Sequence, residues 1–371
     1  MHSWINLSAE ALRANYRIFS KLAENSILMP VIKSNAYGHG LKEIHQILKS
    51  ENPPYLATNY LYEARELREY GYEGNIIVVG PIFPEELKLA REIRAEILLG
   101  NGMMLDAWIL CKDKPDVHVK IDTGMNRQGF YPDAFTQVIK TILPFKNSVK
   151  GICTHFANVE DVLEHEYAEK QMELFNAAVK EMEKAGIKCI KHMASSASTL
   201  ILDKSRRDLV RVGISIYGLW PSQATRLSYL NVYKSTANLK PVLEWKTKVA
   251  SIKTVPNGQF IGYGCTYKTT GNTLLAVIPV GYYEGYPRIA GNQKSYVLIK
   301  GNRCPIIGRI CMNMMMVDIS HVQGISPMDT VTLIGRDGEE YLDPGLVASW
   351  AGTIHYELLT CLNPKIPRYI V

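Results

Sequence analysis

The sequence predicts an N-terminal (β/α)8 barrel of the TIM type, followed by a mostly β C-terminal domain. Over residues 27–218, eight short apolar runs alternate with segments of helical periodicity. Past Asn231 the pattern changes to alternating strands separated by Gly, Asn and Pro turns. The length of 371 residues accommodates a barrel and one further domain. We therefore expect a barrel domain at 1–235 and a mostly β domain at 236–371.

The eight apolar runs are mostly continuous rather than alternating, as expected for parallel strands that are covered on both faces. The predicted strands are Leu28–Ile32, Tyr55–Thr58, Ile76–Val79, Glu96–Leu99, Val117–Ile121, Val149–Thr154, Cys189–His192 and Leu209–Val212. The helical segments between them include Leu41–Lys49, Leu61–Tyr70 and Val162–Ala185. Eight units are the number of a closed barrel, although a doubly wound open sheet would produce the same alternation.

The region after residue 235 contains little helical periodicity. Its predicted strands are Leu243–Val249, Leu274–Val280, Tyr296–Ile299, Met314–Ile319 and Val331–Ile334. Turn residues separate these runs, which favours a mostly β domain.

The composition is that of a globular enzyme in the cytoplasm. Apolar residues make up 47% of the chain and charged residues 21%, and the net charge of +6 is mild for this length. An anionic small ligand explains that charge as well as a nucleic acid would. The longest apolar stretch, Leu274–Tyr283, is about half of the ~20 residues that span a membrane. The seven cysteines form no CxxC pair, so we expect reduced thiols and no metal site.

Lys33 is the first candidate for chemistry. It lies in the segment VIKSNAYGHG, directly after the first predicted barrel strand. Barrel enzymes build their active sites at the C-terminal ends of the strands. Burial at that position disfavours the charged amine, lowers its pKa and prepares it for Schiff-base chemistry. An ordinary loop lysine is the alternative interpretation.

Two cations and an acid follow the fifth predicted strand, in the segment VKIDTGMNRQG. They are Lys120, Asp122 and Arg127. A guanidinium matches a carboxylate or a phenolate and stays charged at any working pH. This segment is therefore a candidate anion site, or else a solvated salt-bridge loop.

Small and hydroxyl-bearing residues follow the last two predicted barrel strands. Ser195 and Ser196 come after one, and Arg211 ends the other shortly before Gly213. Such residues bind phosphate through backbone N–H groups and hydroxyls, although serine turns more often cap helices. His155, after the sixth strand, is either a ligand contact or a core histidine.

Tyrosines stand between glycines in the β region, at Gly262–Gly264 and Gly281–Gly285. A tyrosine acts as an acid or a base only if its pKa, ordinarily near 10, is lowered. Packing is the alternative role for each of them.

Taken together, these segments resemble alanine racemase, a family of pyridoxal phosphate (PLP) enzymes of fold type III. VIKSNAYGHG is similar to the family's PLP-lysine signature, and VKIDTGMNRQG and VRVGISIYG match two further motifs. The matches run in one order from Trp4 to Arg368, so the resemblance covers essentially the whole chain. It implies a racemase that interconverts L-alanine and D-alanine and supplies D-alanine for peptidoglycan.

The resemblance also implies which residues hold the cofactor. Lys33 would carry PLP, and Arg211 would face the pyridine nitrogen, with His192 supporting it and His155 near the ring. An arginine at that position leaves the ring nitrogen unprotonated, which favours return of the proton to Cα. The residues that would hold the phosphate are Tyr37, Ser196, Gly213, Ile214 and Tyr356.

A homodimer with shared active sites follows from the same resemblance. Lys33 and Tyr263 of the partner subunit would act on opposite faces of the substrate. Lys120 matches a lysine that is carbamylated in many family members. The residues that would bind or confine the substrate are Arg127, Tyr282 and Met312, the last two from the partner subunit.

Two positions depart from the family pattern: Ser195 stands where Asn is usual, and Asn313 where Asp is usual. A racemase for serine or other small amino acids is therefore an alternative. A fold type III decarboxylase is disfavoured by the short second domain and by the matches at Tyr263 and Arg211. A non-catalytic PLP-binding homeostasis protein would resemble a lone barrel, so the β domain argues against it.

Overall fold

The protein consists of two compact units. A computed structural model describes residues 1–160, 166–233 and 238–371, without the side chains of Val232 and Tyr233. One unit, the barrel unit, contains Glu10–Ala36 and Ile44–Pro241, and the other, the β unit, contains Met1–Ala9, Tyr37–Glu43 and Val242–Val371. The expected boundary near residue 235 and the predicted helix start at Val162 lie outside the described residues.

The chain begins with β1 (Trp4–Leu7) of the β unit and α1 (Ala9–Ala23). The strands of the barrel unit are β2 (Ile27–Pro30), β3 (Tyr55–Thr58), β4 (Asn75–Val78), β5 (Ala95–Leu99), β6 (Val117–Lys120), β7 (Val149–Cys153), β8 (Ile190–His192) and β9 (Leu209–Val212). The segment labelled α2 (Lys33–Tyr37) is a left-handed turn. The helices in this part of the chain are α3 (Leu41–Leu48), α4 (Leu61–Glu69), α5 (Leu87–Glu92), α6 (Gly102–Leu110), α7 (Phe135–Ile142), α8 (Glu166–Lys184), α9 (Ser196–Ile201) and α10 (Gln223–Tyr233).

The eight strands form a parallel barrel. Their order is β2-β9-β8-β7-β6-β5-β4-β3, so each strand pairs with its neighbour in the chain except where β2 meets β9. The two ends of this order come together, because Ile32 N donates to Ala57 O over 2.8 Å and Val31 bridges Ala57. The predicted barrel is confirmed, and the doubly wound open sheet is excluded.

Each predicted barrel strand corresponds to an observed one. Tyr55–Thr58 and Leu209–Val212 have the predicted bounds, and the other strands differ by one or two residues at one end or at both ends. Some of these differences arise where an apolar residue continues past the end of the ladder. Ile121, for example, no longer belongs to β6 and instead bridges Phe130 across the loop that follows.

The β unit is mostly β, as predicted. Its further strands are β10 (Leu243–Lys248), β11 (Ser251–Val255), β12 (Phe260–Ile261), β13 (Tyr267–Lys268), β14 (Thr273–Ile278), β15 (Tyr296–Ile299), β16 (Asn302–Ile307), β17 (Met315–Asp318), β18 (Thr330–Asp337), β19 (Glu340–Leu342) and β20 (Arg368–Ile370). The main sheet has the order β11-β14-β17-β16-β15-β18-β10-β1-β20, with β19 on β18, and β12 pairs with β13 separately. Two short helices, α11 (Pro344–Trp350) and α12 (His355–Thr360), were not predicted.

Within the described ranges, none of the helices combines the length and the apolar character that crossing a bilayer requires. All seven cysteines are free thiols.

Candidate active site

Lys33 stands where the chain leaves β2, at the start of a left-handed turn. The four residues after it, Ser34 to Tyr37, have φ angles of 56°, 53°, 53° and 54°. A residue with a side chain pays roughly 1–2 kcal/mol for that conformation. Four of them in succession therefore require support from the surrounding structure.

Glu63, which sequence reasoning missed, provides part of that support. Its buried carboxylate accepts from Asn35 N in the turn (3.2 Å) and from Asn59 N (2.8 Å) and Tyr60 N (3.2 Å) at the start of α4. One carboxylate thus caps α4 and anchors the turn that follows Lys33. The Glu at the third position of α4 was a visible capping signal, but its second partner lies 28 residues away in the chain.

The surroundings of Lys33 favour its neutral amine. Burial is the largest cause that lowers the pKa of Lys33, and the positive charge of Arg127 lowers it further. The negative charge of Glu63 raises it. A neutral amine is the form of lysine that acts as a nucleophile or a base.

The loop after β6 places Lys120, Asp122 and Arg127 around the same region. The backbone returns on itself, since Phe130 N donates to Lys120 O (2.8 Å) and Asp122 N donates to Phe130 O (2.9 Å). Burial lowers the pKa of Lys120 to about 8, and the charges of Arg211 and Arg127 add to this effect. One carboxylate oxygen of Asp122 accepts from the backbone N–H groups of Gly124 and Asn126, so Asp122 stabilises its own loop.

Arg211, at the third position of β9, is buried and held by neutral groups. Its Nη2 donates to Thr154 O (2.9 Å), Met193 O (3.0 Å) and His155 Nδ1 (3.1 Å). Its Nη1 donates to His192 Nδ1 (2.9 Å). Burial and the charge of Arg211 hold the pKa values of both histidines well below the ordinary range, so both rings are neutral.

The serines and glycine after β8 and β9 lie together. Ser195 precedes α9, and Ser196 is its first residue. Ser196 Oγ accepts from Gly213 N over 2.9 Å, which joins the start of α9 to the turn after β9. Ile214 begins a buried 3₁₀ turn that continues to Tyr217. Backbone N–H groups and a hydroxyl thus converge at one end of the barrel.

The remaining predicted site residues belong to the β unit. The rings of Tyr37 and Tyr356 lie 6.2 Å apart, and burial raises the pKa of Tyr37 to about 12. Tyr282 and Met312 are neighbours, because Tyr282 N donates to Cys311 O (3.2 Å) and Tyr283 N to Met312 O (2.9 Å).

The residues assigned to a partner subunit are exposed on the single chain. Tyr263 is 71% exposed, Met312 55% and Tyr282 41%. Near them, Asn313 Nδ2 donates to Glu284 Oε1 over 2.9 Å. An aspartate at position 313 would face the Glu284 carboxylate instead, which gives the departure from the family pattern a local reason.

The barrel site is electropositive, and the pKa values of both of its amines, Lys33 and Lys120, are lowered. Lys120, Arg127 and Arg211 supply cationic groups around Lys33 and His155. Within residues 1–160, 166–233 and 238–371, no group of three or more His, Cys, Asp or Glu side chains is arranged to hold a metal ion. This donor set suits an anionic organic group and a carboxylate.

Two family models together match most of the chain. The one described as "Alanine racemase, N-terminal domain" matches residues 7–221, and "Alanine racemase, C-terminal domain" matches residues 242–370.

Curated relatives match over the full length. The alanine racemase of Leptospira interrogans (strain Fiocruz L1-130) is 37% identical over 373 residues, covering 100% of this chain and 96% of the relative. That of Carboxydothermus hydrogenoformans is 36% identical over 377 residues, covering 99% of both chains.

Solved structures agree in fold. The alanine racemase of Clostridium difficile 630 superposes with a TM-score of 0.91 at 32% identity, covering 100% of this chain and 96% of that one. The Bacillus anthracis alanine racemase with bound L-Ala-P has a TM-score of 0.90 at 30% identity, with coverages of 100% and 95%.

Proposed function

The chain belongs to the alanine racemase family of isomerases, and from this premise we propose that it interconverts L-alanine and D-alanine with the help of PLP. The observation that carries the proposal is the half-buried Lys33 shortly after β2, where burial lowers the pKa of its amine and so favours the form that acts as a nucleophile. The product D-alanine would feed a reaction that builds it into peptidoglycan.

The residues present fit PLP in charge and in hydrogen bonding. Lys33 offers an amine of lowered pKa for its aldehyde carbon, and the buried Arg211 offers a permanent donor to its ring nitrogen. We assign its phosphate to Ser196, Gly213, Ile214, Tyr37 and Tyr356. Bound there, PLP supplies the electron-withdrawing ring that lets the substrate Cα lose its proton.

Racemisation needs proton carriers on two opposite faces of Cα. We assign Lys33 Nζ to one face and the hydroxyl of Tyr263 of the partner subunit to the other. The 71% exposure of Tyr263 on the single chain supports a role in the site of a second copy. The proton taken by one residue leaves Cα planar, and the other residue returns a proton from the opposite side.

Arg127 is assigned to the substrate carboxylate, because a guanidinium binds a carboxylate through paired donors. We propose that Lys120 carries a carbamate, formed when its neutral amine takes up carbon dioxide and releases a proton. The lowered pKa of about 8 supports this modification. The carbamate would turn a buried cation into an anion that orients Arg127.

The side-chain pocket is assigned to Tyr282 and Met312 of the partner subunit. Their adjacency through the Cys311 and Met312 carbonyls supports a joint role at the entrance. Two large side chains there would restrict the substrate to about a methyl group. A racemase for serine or other small amino acids is the second candidate, favoured by the Asn313–Glu284 hydrogen bond, which changes the polarity near the entrance.

The test is the circular dichroism of L-alanine incubated with the purified, PLP-loaded protein. We expect the signal to decay to zero and D-alanine to give the mirror curve, while Lys33→Ala leaves both signals unchanged. A flat alanine signal with a decaying L-serine signal would replace the proposal with the second candidate. A flat signal for every small amino acid, from protein that binds PLP, would leave a non-catalytic PLP-binding protein.

A further inference from the structure

A buried carboxylate lies at the far end of the hydrogen-bond chain that begins at Arg211. Glu96 on β5 is 8% exposed, and its Oε2 lies 2.5 Å from Nε2 of the fully buried His118 on β6. Nδ1 of His118 lies 2.8 Å from Nε2 of His192 on β8. His192 Nδ1 in turn accepts from Arg211 Nη1 on β9. The chain Glu96–His118–His192–Arg211 therefore crosses the barrel interior from β5 to β9.

Gly151 makes this crossing possible. It lies on β7, between the strands of the two histidines, and pairs with His118 in the ladder. A Cβ at position 151 would lie 1.9 Å from His118 Nδ1. A side chain there would displace the His118 ring from His192. The backbone of Gly151 does not have a positive φ, so the glycine serves here to leave space.

The charged groups at the two ends of this hydrogen-bond chain, Glu96 and Arg211, determine which nitrogen of each histidine ring is protonated. Arg211 can only donate, so His192 Nδ1 is an acceptor and the ring carries its proton on Nε2. That proton is donated to His118 Nδ1, so His118 also carries its proton on Nε2. The Glu96 carboxylate can only accept, and it takes the hydrogen bond from His118 Nε2. Arg211 and Glu96 thus require the same donor-to-acceptor direction along the hydrogen-bond chain. Two neutral imidazole rings connect the carboxylate to the guanidinium.

We propose that Glu96 is a positioning residue, which acts through His118 and His192 to hold the guanidinium of Arg211 toward the pyridine nitrogen of PLP. A negative charge at the far end polarises both rings, and chains of hydrogen bonds strengthen one another in a low-dielectric interior. The role toward the cofactor rests on the proposed function, whereas the ring protonation does not.

The first test measures the protonation of the His118 and His192 rings. Histidine labelled with ¹⁵N only at Nδ1 is incorporated, and the shifts of His118 and His192 are assigned by solid-state NMR with and without PLP. We expect both Nδ1 atoms to be unprotonated at neutral pH in either state. A protonated Nδ1 at either ring overturns the proposal, whether or not the protein racemises alanine. Absence of racemisation with the expected ring shifts would instead contradict the proposed function alone.

The second test removes the carboxylate in two ways. Glu96→Gln keeps an oxygen that accepts from His118 but loses the charge, and Glu96→Leu removes both. We expect Glu96→Leu to lower kcat about ten- to a hundredfold, the usual cost of removing an outer hydrogen-bond partner of a site. The KM for alanine should stay within about twofold, because the substrate carboxylate is bound elsewhere. Glu96→Gln should fall between Glu96→Leu and the unaltered protein.

Two controls separate this role from a general loss of structure. Gly151→Ala should reproduce the kcat loss of Glu96→Leu, and Gly102→Ala, where an added Cβ meets open space, should not. Glu69→Gln, on the exposed side of α4, should leave kcat unchanged. A folded Glu96→Leu protein with unchanged kcat and unchanged ring shifts overturns the proposal. If Glu96→Leu does not fold, Glu96→Gln with the full kcat of the unaltered protein does so.

Discussion

At the scale of single residues, the barrel interior holds its cations without matching each to an adjacent carboxylate. Arg211 donates to two carbonyl oxygens and two neutral imidazoles, and burial lowers the pKa of Lys120. A buried charge without a neighbouring counter-ion is costly. The same arrangement leaves positive potential available for an anionic ligand, so binding that ligand recovers part of the cost.

Lys120 provides a prediction about pH and carbon dioxide. With a pKa of about 8, about half of its amines are neutral at pH 8, against roughly one in three hundred for a lysine of ordinary pKa. We expect a ¹³C carbamate resonance from protein in ¹³C-bicarbonate at pH 8, and its loss in Lys120→Gln. The signal should persist in the exposed control Lys21→Gln. A carbamate signal that survives Lys120→Gln would contradict the assignment.

The unmodified lysine also makes stability depend on pH with a definite sign. Its folded pKa lies below its unfolded value, so the unfolded chain binds more protons between about pH 8 and pH 10. The contribution of Lys120 to the free energy of unfolding therefore rises as the pH rises through that window. Below pH 8 both states are protonated, and the contribution stays at its unfavourable limit.

Sequence reasoning located the residues that follow strand ends, and missed those that act through a distant partner. Lys33 and Arg211 could be placed because barrel strands deliver their C-terminal residues to one rim. Glu63 and Glu96 could not, because their partners Asn35 and His118 are 28 and 22 residues away. The left-handed turn after Lys33 could not be predicted either, because none of its four residues is a glycine, the residue type that usually indicates a positive φ.

At the scale of elements, continuous apolar runs identified the barrel strands because both faces of each strand are covered. The β unit was harder to predict. Its strands β12 and β13 have two residues each, so they are too short to show the alternation of apolar and polar residues that predicts a strand. Helix α11 did carry a signal, because Asp343 and Pro344 form a cap and a first-turn proline, and Asp343 accepts from Gly345 N over 2.7 Å.

Helix α1 supports the turn that follows β9, and this gives a prediction for an element. Asn15 is fully buried; its Nδ2 donates to Lys240 O (2.8 Å) and Ile216 O (3.1 Å), and its Oδ1 accepts from Lys240 N (2.9 Å). Asn15→Leu leaves three backbone groups unpaired, so we expect the free energy of unfolding to fall by about 3 kcal/mol. Urea denaturation measures the change.

The control for this prediction is Ser20→Ala on the exposed face of α1, which should change the stability by less than about 0.5 kcal/mol. Because Ile216 belongs to the turn that begins at Ile214, Asn15→Leu should also weaken PLP binding. An Asn15→Leu protein that unfolds at the same urea concentration as the unaltered one would show that these hydrogen bonds contribute nothing.

At the scale of the whole molecule, the proposed dimer predicts that two inactive proteins restore each other. Lys33→Ala lacks one of the two proposed proton carriers, and Tyr263→Ala lacks the one proposed to act in the partner's site. Random reassortment after mixing makes half of the dimers mixed, and each mixed dimer has one intact site of two. We expect about a quarter of the unaltered activity, measured as alanine racemisation after dissociation and reassembly.

A control mixture of two Lys33 variants shows whether the restored activity comes from active sites that are shared between subunits or from mixing alone. Lys33→Ala mixed with Lys33→Gln contains no intact site in any dimer, so it should stay inactive. Activity that does not rise when Lys33→Ala and Tyr263→Ala are mixed, although mixed dimers form, would place both residues in the site of one chain.

The position of β1 has a consequence for synthesis on the ribosome. In the sheet order β1 lies between β10 and β20, and Ile5 pairs with Arg368. At roughly 5–20 residues per second, the first strand emerges about half a minute before its last neighbour is translated. Until then its unpaired edges are open to other chains. A nascent polypeptide of this sequence would therefore depend on chaperones at its N-terminus for longest, even while the barrel strands behind it are already pairing.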